Sequence, residues 1–235
     1  MIPFPFQHGG FGLRGTVLTP SVGDPYWANV VLSIDGTQGS VVDLSSIGHT
    51  ITAEGNAAAA GSGGTGYLDF DTSGDAFSIA SSSSFGFGTG DYTIELDIYR
   101  VTSGTETQLI DTRILAEGTP RPYVYYISND TSQLTIYDSI TTKGKTGTSI
   151  DATTWARVAF TRVGTTIRAF LGGTLIWTDT STVADHGTTR PLVIGNNLAF
   201  SGGAGARRIR HVRVTKGIAR WTSSYSAGSG PFPTA

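Results

Sequence analysis

Residues 155–179 read WARVAFTRVGTTIRAFLGGTLIWTD. Within this stretch Ala156, Val158 and Phe160 stand at every second position, which is the period of a β-strand with one buried face. A Gly-Thr pair and a Gly-Gly pair then separate two further short runs rich in β-forming residues, and glycine at such points is typical of tight reversals. The stretch therefore predicts three antiparallel strands, a meander that forms part of a larger sheet.

The composition favours an all-β protein with a packed core. Charged residues make up 14% of the 235 residues, against about 25% in an average globular protein. Glycine occurs 32 times, as expected for many turns. The 4 Trp, 9 Tyr and 11 Phe residues argue against disorder. The length allows one large all-β domain or two small ones. Without cysteine, a disulfide framework and a thiolate zinc site are excluded.

Similar alternation outside the meander predicts further strands. The pattern is clearest in Tyr92–Arg100, where Tyr92, Ile94, Leu96 and Ile98 fall on one face. Shorter strands are predicted at residues 29–35, 49–54, 108–112, 123–128, 133–138, 192–195 and 207–215, with a hairpin over residues 67–80. Residues 56–66 and 138–153 read as loops, and residues 217–224 as a turn or a single helical turn. About a dozen short strands with no amphipathic helix predict a two-sheet antiparallel β-sandwich.

The net charge of −2 conceals an uneven distribution along the chain. Residues 1–99 carry one basic and ten acidic side chains, and residues 100–235 carry fifteen basic and eight acidic ones. The two halves therefore bear charges of −9 and +7. Solvated charged faces are the simpler interpretation, and head-to-tail pairing of subunits is the alternative.

Proline and glycine at the N-terminus predict an extended arm, residues 1–24, before a sandwich at residues 25–225 and a C-terminal tail at residues 226–235. Phe4, Phe6 and Phe11 are large and apolar, so we expect them to pack on the domain or on a neighbouring chain. A disordered tail is the competing interpretation. The first residues lack the basic region followed by an apolar region that marks a signal peptide, so none is predicted. No apolar run approaches the ~18 residues of a membrane span.

Three segments resemble one known family. They are FGTGDYTIE at residues 87–95, WARVAFTR at residues 155–162 and VRVTKGIARWTSS at residues 212–224. They are similar to the laminin-G-like, concanavalin A-like lectin/glucanase jelly roll, in the variant found in bacteriophage tail and virion surface proteins. The resemblance extends over roughly residues 24–225. It implies a jelly-roll fold, which the extended N-terminal arm predicted above precedes.

The chain departs from this family at two places. Gly172-Gly173 replaces the family's Asp-Gly pair, so any ligand role of that Asp is lost. The family often has acidic residues before its closing strand, where this chain has Arg210 and His211. A basic contact surface is therefore expected in place of a cation site. The candidate residues for an assembly interface are Phe4, Phe6, Phe11, Arg207, Arg208 and Arg210.

Glucanases of related fold use a Glu-x-Asp-x-(x)-Glu strand, and a retaining mechanism needs both glutamates. Here Glu95 and Asp97 are present, but the second glutamate is missing. Both carboxylates are explained as the polar face of an alternating strand, so no catalytic residue is predicted. Asp69, Asp71 and Asp75 lack EF-hand spacing and are explained as turn residues. No metal or other cofactor is predicted.

Two non-catalytic functions remain open. The first is a structural or attachment protein of a bacteriophage virion: a tail fibre, tail tip or capsid decoration protein. Its expected partners are other virion proteins and itself as a homo-oligomer, in a virion assembled in the host cytoplasm, where cysteine-free chains are favoured. The second is a lectin module that binds a host surface glycan. Its candidate contact residues are Tyr123, Tyr125, Trp177, Asn196 and Asn197. Nucleic-acid binding is not expected, since the isoelectric point is near 6.0. Membrane insertion is not expected either, because no apolar run is long enough.

Deletion of residues 1–20 tests the docking arm. We expect the truncated protein to remain folded but to lose self-association, because each buried Phe contributes about 1.5–3 kcal/mol to an interface. Light scattering on the full chain and on the truncated chain measures the mass directly. An oligomer of unchanged size after truncation would contradict the docking role of the arm.

Overall fold

The computed structural model describes residues 23–114, 124–127, 131–137, 143–180, 185–201 and 205–235, without the side chains of residues 124–126 and 143. The described strands form two antiparallel sheets, which confirms the predicted jelly-roll sandwich. Helical structure in these ranges is limited to the 3-10 turns Trp27–Asn29 and Gly36–Gln38. No helix in them has the length and apolar character needed to cross a membrane.

Fifteen strands make up the described structure. In chain order they are β1 Val30–Asp35, β2 Thr52–Glu54, β3 Ala58–Ala60, β4 Tyr67–Phe70, β5 Ala76–Ser82, β6 Tyr92–Arg100, β7 Thr107–Asp111, β8 Val124–Ile127, β9 Gln133–Tyr137, β10 Lys143–Ser149, β11 Trp155–Val163, β12 Thr166–Leu171, β13 Thr174–Asp179, β14 Arg190–Ile194 and β15 Arg207–Lys216.

Sheet 1 has the order β13-β12-β11-β6-β15-β4-β3, with β1 also paired to β15. Sheet 2 has the order β10-β9-β8-β7-β14-β5-β2. The core lies between them and includes Ile94, Leu96 and Ile98 of β6, which face side chains such as Leu192 and Ile194 of β14. β6 and β15 lie at the centre of sheet 1. The side chains on the face of these strands that points away from the core therefore form the middle of the outer surface of sheet 1.

The meander is present as predicted: β11 pairs with β12 and β12 pairs with β13, both antiparallel. The burial of β11 differs from the expected pattern, however. Val158 and Phe160 face the core, but the outward residues Ala159 and Thr161 are also buried. Both faces of β11 are therefore covered by other parts of the chain.

Three local predictions are wrong. Residues 67–80 do not form a hairpin, because β4 belongs to sheet 1 and β5 to sheet 2. The predicted loops at residues 56–66 and 138–153 contain β3 and β10, two strands whose small or polar residues carry little strand signal. The turn between β4 and β5 is held by the buried Asp75, whose carboxylate accepts hydrogen bonds from Thr72 N at 2.8 Å and Asn56 N at 3.0 Å. Asp75 is thus a turn residue, as expected.

Residues 218–235, here called the C-terminal strap, cover the outward face of sheet 1. Thr93 Oγ1 donates a hydrogen bond to Ile218 O at 2.9 Å, and Tyr225 N donates one to Gly173 O at 2.8 Å. Near the end of the strap, Thr234 O accepts a hydrogen bond of 2.8 Å from Asp24 N. Residues 226–235, which the sequence predicts as a C-terminal tail, therefore pack on the sandwich.

Phe232 anchors the strap, with 7% of its surface exposed. We expect Phe232→Ala to lower the free energy of unfolding by about 3 kcal/mol, the low end for truncation of a buried Phe. Urea unfolding measures the change. Val42→Ala is the control, because Val42 is 51% exposed and its truncation should cost no more than about 0.5 kcal/mol. Equal losses in the two variants would show that the strap does not contribute to stability.

Candidate functional site

A β-bulge in β15 organises the outward face of sheet 1. Ile209 pairs with Ile98 and Val212 with Leu96, so that Arg210 and His211 together lie opposite Asp97. A bulge of this kind places one extra residue on a strand and redirects its side chains. Ile209 and Val212 both face the core, while His211 and Arg210 contact outward groups of β6 and β11.

Three carboxylates on this face are buried and paired with three arginines. Asp97 accepts hydrogen bonds from Arg157 Nε at 2.6 Å and Arg157 Nη2 at 2.7 Å. Glu95 accepts from Arg213 Nε at 2.7 Å. Asp24 accepts from Arg213 Nη1 at 2.9 Å and from both terminal nitrogens of Arg220, at 2.9 and 2.7 Å. We call these six residues the charge cluster. Such pairing is required, because an unpaired buried charge is very costly.

The cluster perturbs the ionisation of its acids. Burial acts to raise the pKa of Asp97, but hydrogen bonds from Arg157 and His211 outweigh it and hold the pKa below the usual range. The pKa of Asp24 is likewise lowered, since the bonds from Arg220 and Tyr26 N outweigh burial. For Glu95 burial dominates and raises the pKa, although Arg213 and Arg220 oppose it.

The C-terminal strap closes over the charge cluster. The Phe232 ring lies 4.6 Å from the Arg157 guanidinium carbon and 4.4 Å from that of Arg213. Arg157 also donates to Gly228 O at 2.5 Å and to Gly230 O at 2.7 Å. Glu95 and Asp97 retain only 1% and 6% exposure. Substrate would therefore have to displace the strap to reach either carboxylate.

Beside the strap, the same face carries alternating aromatic and arginine side chains, here called the aromatic–arginine strip. Arg208 lies over Tyr67 at 4.5 Å and over Tyr99 at 5.5 Å. The Tyr99 and Trp155 rings are 5.4 Å apart, and Arg210 lies over Trp155 at 4.0 Å. All five residues are partly exposed. Aromatic and arginine side chains of this kind are common at binding surfaces.

A cavity of about 260 Å³ opens where the strip meets the strap. Its walls include Asp97, Trp155, Arg157, Arg210 and Ser229. In the part of the chain that the structure describes, no group of three or more His, Asp or Glu side chains is arranged to hold a metal ion. The cavity is lined by arginine, aromatic, carboxylate and backbone groups.

Arg207 does not belong to a contact surface, and its assignment as an interface candidate is wrong. Its side chain is fully buried and donates to Asp75 O at 3.0 Å, to Gly205 O at 2.9 Å and to Gly195 O. Burial lowers its pKa to about 10. Arg208 and Arg210 are partly exposed, as a surface role requires. Phe4, Phe6 and Phe11 lie outside the described residues.

The predicted glycan contacts do not form one site. Asn196 is fully buried, and its amide donates to Ser73 O at 2.6 Å and Asp75 O at 3.1 Å, so its assignment as a glycan contact is wrong. Asn197 is partly exposed in the same loop. Trp177 packs so closely on Gly144 of β10 that a Cβ there would lie 2.3 Å from its ring. Tyr123 and the side chain of Tyr125 lie outside the described residues.

Sequence analysis missed the aromatic–arginine strip. Tyr99 and Trp155 occupy the outward register opposite one another, and Arg208 pairs with Tyr99. Alternation along each strand would have placed the three side chains on one face. The three side chains are neighbours only because β6 pairs with both β11 and β15. Local sequence patterns do not reveal which strands pair.

The fold and this face can now be compared with known proteins. The chain belongs to the concanavalin A-like lectin/glucanase superfamily, whose family model matches residues 63–217, more than half of the chain. No curated protein matches the sequence at a significant level.

Solved structures of similar fold include binding domains of clostridial-type toxins. The binding domain of Paraclostridial Mosquitocidal Protein 1 has a TM-score of 0.64 at 11% identity, over 82% of this chain and 50% of that one. The binding domain of botulinum neurotoxin serotype D/C has a TM-score of 0.61 at 14% identity, over 82% and 50%. That of botulinum neurotoxin DC, solved in complex with SialylT, has a TM-score of 0.60 at 13% identity, over 82% and 49%. This chain thus spans about half the length of these structures, and the likeness concerns the fold alone.

Asp97→Asn tests the charge cluster. Removing one partner of a buried ion pair should lower the free energy of unfolding by about 3 kcal/mol at pH 7. Because the folded-state pKa of Asp97 is lowered, its contribution is present above the unfolded pKa near 3.8 and is lost as pH falls through the folded value. The variant should therefore lose less stability than the wild type as the pH falls from about 5 to about 2.

Thermal unfolding across that pH range measures both effects. Asp69→Asn is the matched control, since Asp69 is 35% exposed and 3.6 Å from Arg208. It should change stability by less than about 1 kcal/mol. Parallel pH profiles for wild type and Asp97→Asn would disprove the role of Asp97 in acid sensitivity.

Proposed function

We propose that this chain is a non-catalytic attachment module of a bacteriophage virion, which binds surface glycans through the outward face of sheet 1. One observation carries the proposal. The carboxylates of β6 are paired with arginines and covered by the strap, whereas the aromatic–arginine strip beside them remains accessible.

The state of Glu95 and Asp97 argues against glycoside hydrolysis. A retaining glycosidase needs one carboxyl group free to attack and another free to donate a proton, about 5–5.5 Å apart. Here the Asp97 carboxylate is occupied by Arg157 and His211, and Glu95 by Arg213. Access to either would break these ion pairs and lift Phe232 from its site.

The accessible strip supports binding. Stacked aromatic rings offer flat apolar surfaces, and the arginines between them offer hydrogen-bond donors. The solved structures of similar fold are themselves described as binding domains, and one of them was solved with SialylT. These likenesses support a binding role through the fold only.

Placement on a virion rests on the sequence. The segments at residues 87–95, 155–162 and 212–224 resemble the phage-type variant of the fold. A cysteine-free chain suits assembly in a reducing cytoplasm. We propose other virion proteins and further copies of the chain as partners, with contacts through Phe4, Phe6 and Phe11 of the arm.

A glycan array probed with the intact protein tests the binding function. We expect retention on a restricted set of glycans, and a loss of roughly tenfold or more in affinity for Trp155→Ala, since aromatic contacts at interfaces are common sites of large loss. Trp177→Phe is the control, because Trp177 packs on Gly144 away from the strip.

Hydrolysis of the glycans that are bound is measured in parallel, with Glu95→Gln as the variant. We expect no sugar release from either protein. Release by the wild type that is lost in Glu95→Gln would overturn the non-catalytic assignment. An array without any bound glycan would overturn the glycan-binding assignment.

A further inference from the structure

Arg210 stands apart from the other charged side chains of the 260 Å³ cavity between the strip and the strap. Asp97 is bonded to Arg157 and His211, and the guanidinium of Arg157 is shared between Asp97, Gly228 O and Gly230 O. Arg210 makes no hydrogen bond or ion pair with the described residues, and its Nε is buried without a partner. The cavity thus contains an arginine that has no hydrogen-bonded or ion-paired partner among the described residues.

The position of Arg210 is built into the sheet. The bulge in β15 places Arg210 and His211 together opposite Asp97. His211 then fills the place beside the Asp97 carboxylate, with Nδ1 2.7 Å from Oδ2. Arg210 is directed to Trp155 instead, where its guanidinium carbon lies 4.0 Å from the ring centroid. Bulges are over-represented at functional positions of sheets.

The contact with the Trp155 ring holds the Arg210 guanidinium in an orientation that suits a carboxylate ligand. The ring interacts with the cation through its π face and limits the motion of the side chain. The N–H donors of a guanidinium lie in its plane and match the two oxygens of a carboxylate. Arg210 is therefore suited to bind a carboxylate in two-point fashion at the cavity.

The remaining walls favour a sugar over an extended peptide. At about 260 Å³ the cavity is smaller than the ~300–1,000 Å³ of pockets for drug-sized ligands, so it suits a single ring-sized group. The cavity is also lined by residues with small side chains, Gly172, Ala227, Gly228 and Ser229. These residues offer backbone groups and the Ser229 hydroxyl to a ligand. Such groups are partners for sugar hydroxyls.

We propose that the cavity between Trp155, Arg210 and the strap binds the carboxylate of an acidic sugar residue of the uronic or sialic acid class. This inference rests on the proposed glycan-binding function and deepens it: the module would distinguish anionic from neutral surface glycans. Because Arg210 is partly exposed, its attraction for the carboxylate should weaken as ionic strength rises.

Titration of the full chain with methyl glucuronide and with methyl N-acetylneuraminide tests the site, with methyl glucoside and the methyl ester of the glucuronide as neutral controls. Binding is followed by the indole N–H signals of the four tryptophans, at residues 27, 155, 177 and 221. We expect at least one acid to shift the Trp155 signal selectively and to bind roughly tenfold or more tightly than its neutral control.

Arg210→Gln should remove this preference for acids, and Arg210→Lys should retain only part of it because an ammonium lacks the planar two-point geometry. Lys216→Gln is the control: Lys216 lies further along β15, outside the strip and the cavity, and its ammonium donates to Ser83 O at 2.5 Å, so the preference should survive. Thermal unfolding of each variant confirms that it is folded. The Trp155 signal of the wild type reports on the site even if a variant does not fold.

The outcomes separate this inference from the function on which it depends. Neutral glycans bound on the array, with no preference for acids and no effect of Arg210→Gln, would overturn the acidic-sugar site and leave the lectin function intact. Failure to bind any glycan would overturn both. Selective binding of an aspartate- and glutamate-containing peptide at Trp155, with no binding of either sugar acid, would overturn the ligand class.

Discussion

The carboxylates of β6 face outward yet are buried, and this constraint determines much of the surrounding structure. Each acid needs a cation at hydrogen-bonding distance, because an unpaired buried charge is strongly destabilising. Arg157 of β11 and Arg213 of β15 provide these cations from the two strands that flank β6. Arg220 adds a third from the start of the strap. The acids come from the first half of the chain and the arginines from the second, so part of the charge asymmetry in the sequence is neutralised inside one molecule.

The same face distinguishes this chain within a superfamily that contains both lectins and glucanases. The two activities make opposite demands on a strand such as β6. Catalysis needs carboxyl groups that are open to substrate and free to exchange protons, whereas recognition needs a stable surface that keeps its shape. In this chain the carboxylates hold β11, β15 and the strap together, and the accessible groups are aromatic rings and arginines. The carboxylates of β6 are thus held in ion pairs, a state that suits the proposed binding role.

Local sequence patterns predicted most of the sheet but little of its outward face. The alternation in Tyr92–Arg100 and in residues 155–179 reports directly on strands, because one side of each strand must be apolar. β10 was not predicted because its residues are polar or small. The passage of the chain from one sheet to the other between β4 and β5 was not predicted either, because a change of sheet leaves no mark on local periodicity. Arg207 was misplaced since its partners are backbone carbonyls, which no pattern of charged residues reveals. The strap has no regular structure, and only its distant contacts define its course.

The strap can also be regarded as a ligand that the chain carries for itself. A segment tethered next to its binding surface is present there at an effective concentration that a free molecule rarely reaches. An external oligosaccharide that required the place of Phe232 would compete with an occupant that cannot diffuse away. If the proposed binding role holds, substitutions at exposed strap positions such as Ser229 would alter selectivity while leaving the ion pairs beneath the strap in place.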